Sequence, residues 1–309
     1  MGARKRMGAL LLGLALGATL LAGCGTGEAA NPAPGTVRAV GAENEYADVI
    51  RQIGGPYVTV ASVMSSPDAD PHSYEADTRD ASLVGGASLV VQNGLGYDDF
   101  MDKLEAASPH PGRVVIVAAA VLGDPQNTPN PHLWYDPATM PRVAAAIARA
   151  LSGQLPAHAG YFAGRLAAFD ASLQAWRQEL DQVRRHYAGY GVAVTEPVAD
   201  YLLAAAGLDI QTPWGFQAAV MNGTDPAPQD VDIQENLLRA RKVGALIYNR
   251  QAVSSVTAAL LQLARDNHVP VVGVTETMPA GETYQAWMEE ETRNLERALQ
   301  GGISTGVVS

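Results

Sequence analysis

Four side chains stand where this sequence offers chemistry. His72 lies in SSPDADPHSYE and His132 in GDPQNTPNPHLWYDP, each directly behind a proline and each beyond an apolar run in the first half of the chain. Glu196 follows the run VAV in VAVTEPVADY, and Glu276 follows VVGV in VVGVTET, both in the second half. Neutral imidazole nitrogens and ionised carboxylate oxygens are ligands for first-row divalent metals, and four of them fill or nearly fill a shell. Two carboxylates also cancel a 2+ charge, whereas the same pair buried without a cation would suffer repulsion and desolvation. Asp70 and Asp136, close to the two histidines, either accept a hydrogen bond from the far side of each imidazole or cap local turns. His110, His158, His186 and His268 sit in turns or helix ends and read as ordinary solvated residues.

The elements that must position these groups alternate short β-branched runs with longer helical segments, the pattern of βα units on a mainly parallel sheet. Strands are expected near 37–41, 57–63, 88–92 and 113–118, with helices near 44–53, 78–86, 97–107 and 138–154. The pattern restarts with strands near 191–195, 208–211, 244–248 and 270–274 and helices near 198–206, 229–241, 253–266 and 283–299. In open parallel sheets ligands gather beyond the carboxyl ends of the strands, which is where all four candidates lie. Between the halves, Phe162, Leu166, Phe169, Leu173, Trp176, Leu180, Val183 and Tyr187 make one continuous helical stripe, started by Pro156 and stopped by Gly189 and Gly191. The predicted class is α/β: two (βα)4 lobes joined by one long backbone helix that limits their relative motion.

At 309 residues the chain is long enough for two cores, and its formal charge of −11 argues against a nucleic-acid partner. A single Cys excludes an internal disulfide framework. Arg4, Lys5 and Arg6 precede an apolar run to Leu21 that is too short for a permanent span and ends in LAGC, which resembles a bacterial lipobox with Cys24 as the acylated residue. Loss of this leader would shift the formal charge from −11 to −14. The reading divides the chain into a signal peptide (1–23), a flexible Gly/Pro-rich tether (24–36), a first metal-binding lobe (37–155), a linking helix (156–188) and a second metal-binding lobe (189–309).

Over residues 37 to 300 the chain resembles the metal-binding receptor lipoproteins of bacterial ABC importers for zinc and manganese. The segments that carry the likeness are DPHSYEADTRD, VVQNGLGYDDFMDKL, NPHLWYDP, TEPVADYLLAAAGL and TETMPAGETYQAWM. The resemblance implies a metal buried between the lobes, delivery to an ABC permease with its ATPase subunit, a monomer lipid-anchored outside the cell membrane through Cys24, and no catalysis. It maps metal ligation onto His72 and His132. At the third position, where zinc-type members usually carry His, stands Glu196, as in manganese-type members; at the fourth, usually Asp, stands Glu276. The His-rich loop of many zinc members would fall at 121–130, and this segment contains no His. Two nitrogens with two carboxylates form a harder set than three nitrogens, and bidentate carboxylates raise the coordination open to Mn2+ or Fe2+, which favours Mn2+ as cargo, with Zn2+ the alternative and Fe2+ a further one, although the general affinity order still makes Zn2+ the tighter ion in an isolated site. The other roles open to such a chain are a surface adhesin of the same fold and, with one ligand position open, a metal-dependent hydrolase or oxygenase; no HExxH segment is present.

Overall fold

A computed structural model describes residues 35–66, 74–123 and 129–306. His72, Asp70 and the leader with Cys24 lie outside the described residues. The first lobe runs β1 (Val37–Glu43), α1 (Asn44–Gly54), β2 (Val58–Met64), α2 (Thr78–Gly85), β3 (Leu89–Gln92), α3 (Asp99–Ala107), β4 (Val114–Val117), α4 (Ala118–Leu122) and α5 (Thr139–Gln154). The linking segment holds α6 (Ala159–Ser172) and α7 (Gln174–Tyr187). The second lobe follows as β5 (Gly191–Val194), α8 (Asp200–Ala205), β6 (Asp209–Ile210), α9 (Trp214–Met221), α10 (Pro228–Arg239), β7 (Leu246–Asn249), α11 (Ser255–Asp266), β8 (Val271–Val274) and α12 (Tyr284–Gly301).

Each lobe carries a four-stranded parallel sheet with the same pattern of crossovers, β2-β1-β3-β4 in one and β6-β5-β7-β8 in the other. Helices cover both faces of such sheets, so the central strands are apolar runs without alternation: β3 and β7 are buried at every position. Local signals agree with this plan. Asp77 and Asp80 form a capping box at the start of α2, Ser254 and Thr257 another on α11, and Thr283 caps α12. Helices α4 and α9 are not foreseen from periodicity; α9, WGFQAAVM, is apolar apart from Gln217 and offers no stripe to read.

The linking segment differs from a single helix. After a tight turn at Pro156–His158 it forms two helices that meet at Leu173. The Ser172 hydroxyl donates back to Phe169 O (2.7 Å) and accepts from Gln285 Nε2 (2.7 Å), and a serine bonded into the preceding turn loosens the helical ladder. The stripe nevertheless does its work: Phe162, Phe169, Leu173, Trp176, Leu180 and Val183 are buried in one apolar core that continues from β1 and α5 of the first lobe to β8 and α12 of the second. Trp176 reaches across to α12, where its Nε1 donates to Thr292 Oγ1 (2.9 Å).

Candidate metal centre

The carboxyl ends of the strands face one another across the two lobes, and three of the four candidate ligands are described there. His132, fully buried, is carried by a short loop and turn ahead of α5. Its orientation is set by Asn130: the carbonyl Oδ1 accepts from both His132 N (3.1 Å) and Nδ1 (2.7 Å), while Asn130 Nδ2 donates to Pro197 O (2.7 Å). The donated amide identifies which end of Asn130 is oxygen, so the Nδ1 of His132 carries the proton and Nε2 presents a lone pair. That lone pair faces Glu276 Oε2 at 3.3 Å, both side chains being entirely buried. Two electron-rich atoms held this way need a cation or an added proton between them. Donors on a tetrahedral ion at about 2.0 Å lie about 3.3 Å apart.

Glu276 is fixed on the loop after β8. Tyr97 OH donates to Oε2 (3.0 Å), the Asn249 amide Nδ2 donates to Oε1 (2.6 Å), and the backbone N–H of Glu276 donates to Gln251 Oε1. Glu196, buried on the loop after β5, accepts from the same Asn249 Nδ2 through its Oε1. No three His, Cys, Asp or Glu side chains among the described residues form a closed cation shell. His132 pairs with Glu276, and the Asn249 amide stands between the two carboxylates. Asp136 is not the partner of His132; its carboxylate accepts from Ala138 N (2.9 Å) and closes the turn into α5. Asn130, two residues ahead of the histidine, holds that place with its side-chain oxygen on both the His132 backbone N–H and the ring Nδ1.

The NGLG loop after β3 supplies Tyr97. Gly94, Leu95 and Gly96 all have positive φ, and a Cβ on Gly94 would come within 2.7 Å of Val117 Cγ1, so the bend requires glycine there. Asp98 ties the loop down by accepting from Asn93 N (2.6 Å) and Gly94 N (2.8 Å). Beneath lies an acidic layer the motif reading missed. Glu43, at the end of β1, and Glu45 are wholly buried, and among the described residues their carboxyls meet no partner beyond their own backbone amides. Burial pushes both well above the ordinary carboxylate range, with Asp98 adding to the push on each. Burial also raises Asp98 to about 7 against the pull of the Gly94 and Asn93 N–H groups and its own backbone amide. Glu43 closes β1, a strand expected to end at residue 41, so sequence reasoning did not bring it to the strand end where Glu196 and Glu276 were sought.

A family profile described as zinc-uptake complex component A, periplasmic (ZnuA), matches residues 40–298. The chain belongs to this family. Among ZnuA-family relatives, the manganese-binding lipoprotein MntA of Bacillus subtilis is 28% identical over 163 residues, 50% of this chain and 52% of its own, so the match spans about half of that relative. The manganese ABC transporter substrate-binding lipoprotein PsaA of Streptococcus pneumoniae is 22% identical across 96% of this chain and 99% of its own. Among solved structures, the substrate-binding protein FpvC of Pseudomonas aeruginosa in complex with Mn2+ superposes with a TM-score of 0.72 at 23% identity, covering 86% of this chain and 98% of its own. That likeness supports the α/β architecture of two parallel-sheet lobes. The ZnuA family is one of non-enzymatic receptors for metal uptake, which sets the hydrolase and oxygenase readings aside.

Proposed function

We propose that this chain is the extracytoplasmic receptor of an ABC importer, binding a divalent transition metal, Mn2+ or Zn2+ with Fe2+ as a further candidate, between its two lobes and handing it to a permease driven by an ATPase subunit. The observation that carries this is the His132 Nε2 lone pair aimed at the Glu276 carboxylate in a fully buried position, with Glu196 tied to the same amide as Glu276. His72, His132, Glu196 and Glu276 are the ligands of this reading. His72 enters on its sequence motif alone. The lobes comprise 37–155 and 189–309 with 156–188 between them; residues 1–23 serve as a leader, and the tether 24–36 hangs the mature monomer from a lipid on Cys24. Family membership across most of the chain supports the receptor role, and no helix among the described residues is long and apolar enough to cross a membrane.

Metal analysis of protein purified from its native host, with a chelating-dye competition on His132→Ala, tests the proposal. The variant is expected to fold without metal and to lose affinity by orders of magnitude, since a ligand is removed rather than a supporting contact. Full-strength binding by the variant would remove His132 from the shell, and a native protein devoid of transition metal would remove the function.

A further inference from the structure

A notch leads from solvent towards the buried centre. It is a cavity of about 390 Å³ between the NGLG loop of the first lobe and α9 of the second, walled by Leu95, Gly96, Pro131, Trp214 and Ala218 and reaching Tyr97. Its inner end touches the candidate ligands: Tyr97 is buried and its OH donates to Glu276 Oε2 (3.0 Å), and Pro131 is the residue before His132. Its rim is open, with Trp214 43% exposed and no atom within 4 Å of where a Cβ on Gly96 would stand. A dication ringed by about six waters needs roughly 180 Å³, at about 30 Å³ per water, so the notch admits it still hydrated. Elsewhere around the centre the lobes are stitched together. Asn44 and Met278 exchange two hydrogen bonds (2.7 and 3.0 Å), Asn130 Nδ2 donates to Pro197 O (2.7 Å), Tyr201 OH donates to Asn130 O (2.8 Å) and Tyr135 OH donates to Thr275 O (2.7 Å). Among the described residues no hydrogen bond ties Leu95, Gly96 or Pro129 to α9, so these two walls part without breaking one.

We propose that this notch is the portal through which the cation enters and leaves, with the NGLG loop and α9 as its two sides and Tyr97 at the threshold. This deepens the receptor reading and rests on it. None of the described residues lining the notch is charged. A passing dication therefore meets neither a Lys or Arg that would repel it nor a carboxylate that would trap it short of the centre, and a route must bind its ion weakly enough to let it go. A passage sets the height of the barrier and leaves the bound and free states as they are. Narrowing it slows uptake and release alike, and their ratio, Kd, stays where it was.

Stopped-flow transfer of Zn2+ between protein and a chelating dye gives both rates, on the intact chain and on two variants that fill the notch from α9: Ala218→Trp in its wall and Asn222→Trp at the exposed end of the helix. Each is expected to slow uptake and release together by about tenfold or more while Kd holds within about twofold. Asn222→Trp, on the surface, carries the test if Ala218→Trp does not fold. Val253→Trp is the control, since Val253 lines a separate cavity beside Gln251 and is itself exposed; it is expected to leave both rates unchanged. Unaltered rates in the filling variants, or equal slowing by Val253→Trp, would overturn the portal. A change in Kd carried by one rate alone would overturn it too, because that marks a disturbance at the ligands. Absence of Zn2+ binding by the unmodified protein would sink the receptor reading together with this one, while tight binding with unaltered rates sinks the portal alone.

Discussion

Replacing Glu291 by Gln should make this protein more stable as the pH rises, by an amount the structure sets. Glu291 lies on α12 with its face to Tyr135, Leu202, Leu203, Val272 and Leu295. Trp287 Nε1 donates to its Oε1 (3.2 Å), and its Oε2 is buried without a hydrogen-bond partner among the described residues. Burial pushes this carboxyl from 4.5 to about 8, opposed by the Trp287 bond. The folded state therefore holds a proton that the unfolded state gives up above pH 4.5, and stability from this group is complete below that pH and lost as the pH climbs through 8. A gap of about 3.5 pH units at about 1.4 kcal/mol each, less the half-ionised fraction at the upper end, gives roughly 4 kcal/mol between pH 4.5 and pH 8. Gln keeps the volume and an oxygen for Trp287 and carries no titrating proton. Urea unfolding of wild type and Glu291→Gln, both stripped of metal, at pH 4.5, 6 and 8 measures the difference. The two should be nearly level or modestly offset at pH 4.5 and separate steadily towards pH 8, the variant gaining. Stability curves that stay parallel across the range would refute the argument, since a carboxyl that ionises freely in the folded state cannot have the desolvated surroundings described.

Asn130→Ala removes the acceptor that fixes the His132 tautomer and the donor that reaches Pro197, and is expected to weaken metal binding about 10–100-fold in dye competition with little change in the circular dichroism of the metal-free protein. Glu43→Gln is expected to stabilise the metal-free protein progressively above pH 4.5, the ordinary value for this side chain, because the native state holds its proton where the unfolded state does not; a thermal-melt difference that shrinks as the pH rises would contradict this.

The two lobes and the strand ends that carry the acids were legible because parallel strands buried on both faces leave continuous β-branched runs such as LVVQ and VVGV, and the residue after such a run has few places to go. His132 stood out instead by its place behind a proline in NPHLWYDP, beyond α4 rather than at a strand end. What escaped were groups whose part is decided by which partner the fold brings to them. Asn249 looks like a strand-end amide until Glu196 and Glu276, 53 and 27 residues away, are brought to it. Asp136 had the better charge to orient His132, yet the turn at Ala138 claimed it and the neutral Asn130 took the role. The joint at Leu173 was invisible in the apolar period because that period runs unbroken through it; a hydroxyl on the opposite face, bonded to Gln285 of the C-terminal helix, made the difference.

That same Gln285 belongs to a wider lattice of struts. Its amide also bonds Gln52 of α1 (2.8 Å), while Tyr284 N reaches Asp48 (3.0 Å), Asn44 clasps Met278 through both donor and acceptor, and Tyr284 OH meets Trp134 O (2.7 Å). A truss braced in this way resists swinging as a gate does about a pin, because rotation of one half would shear all these bonds together.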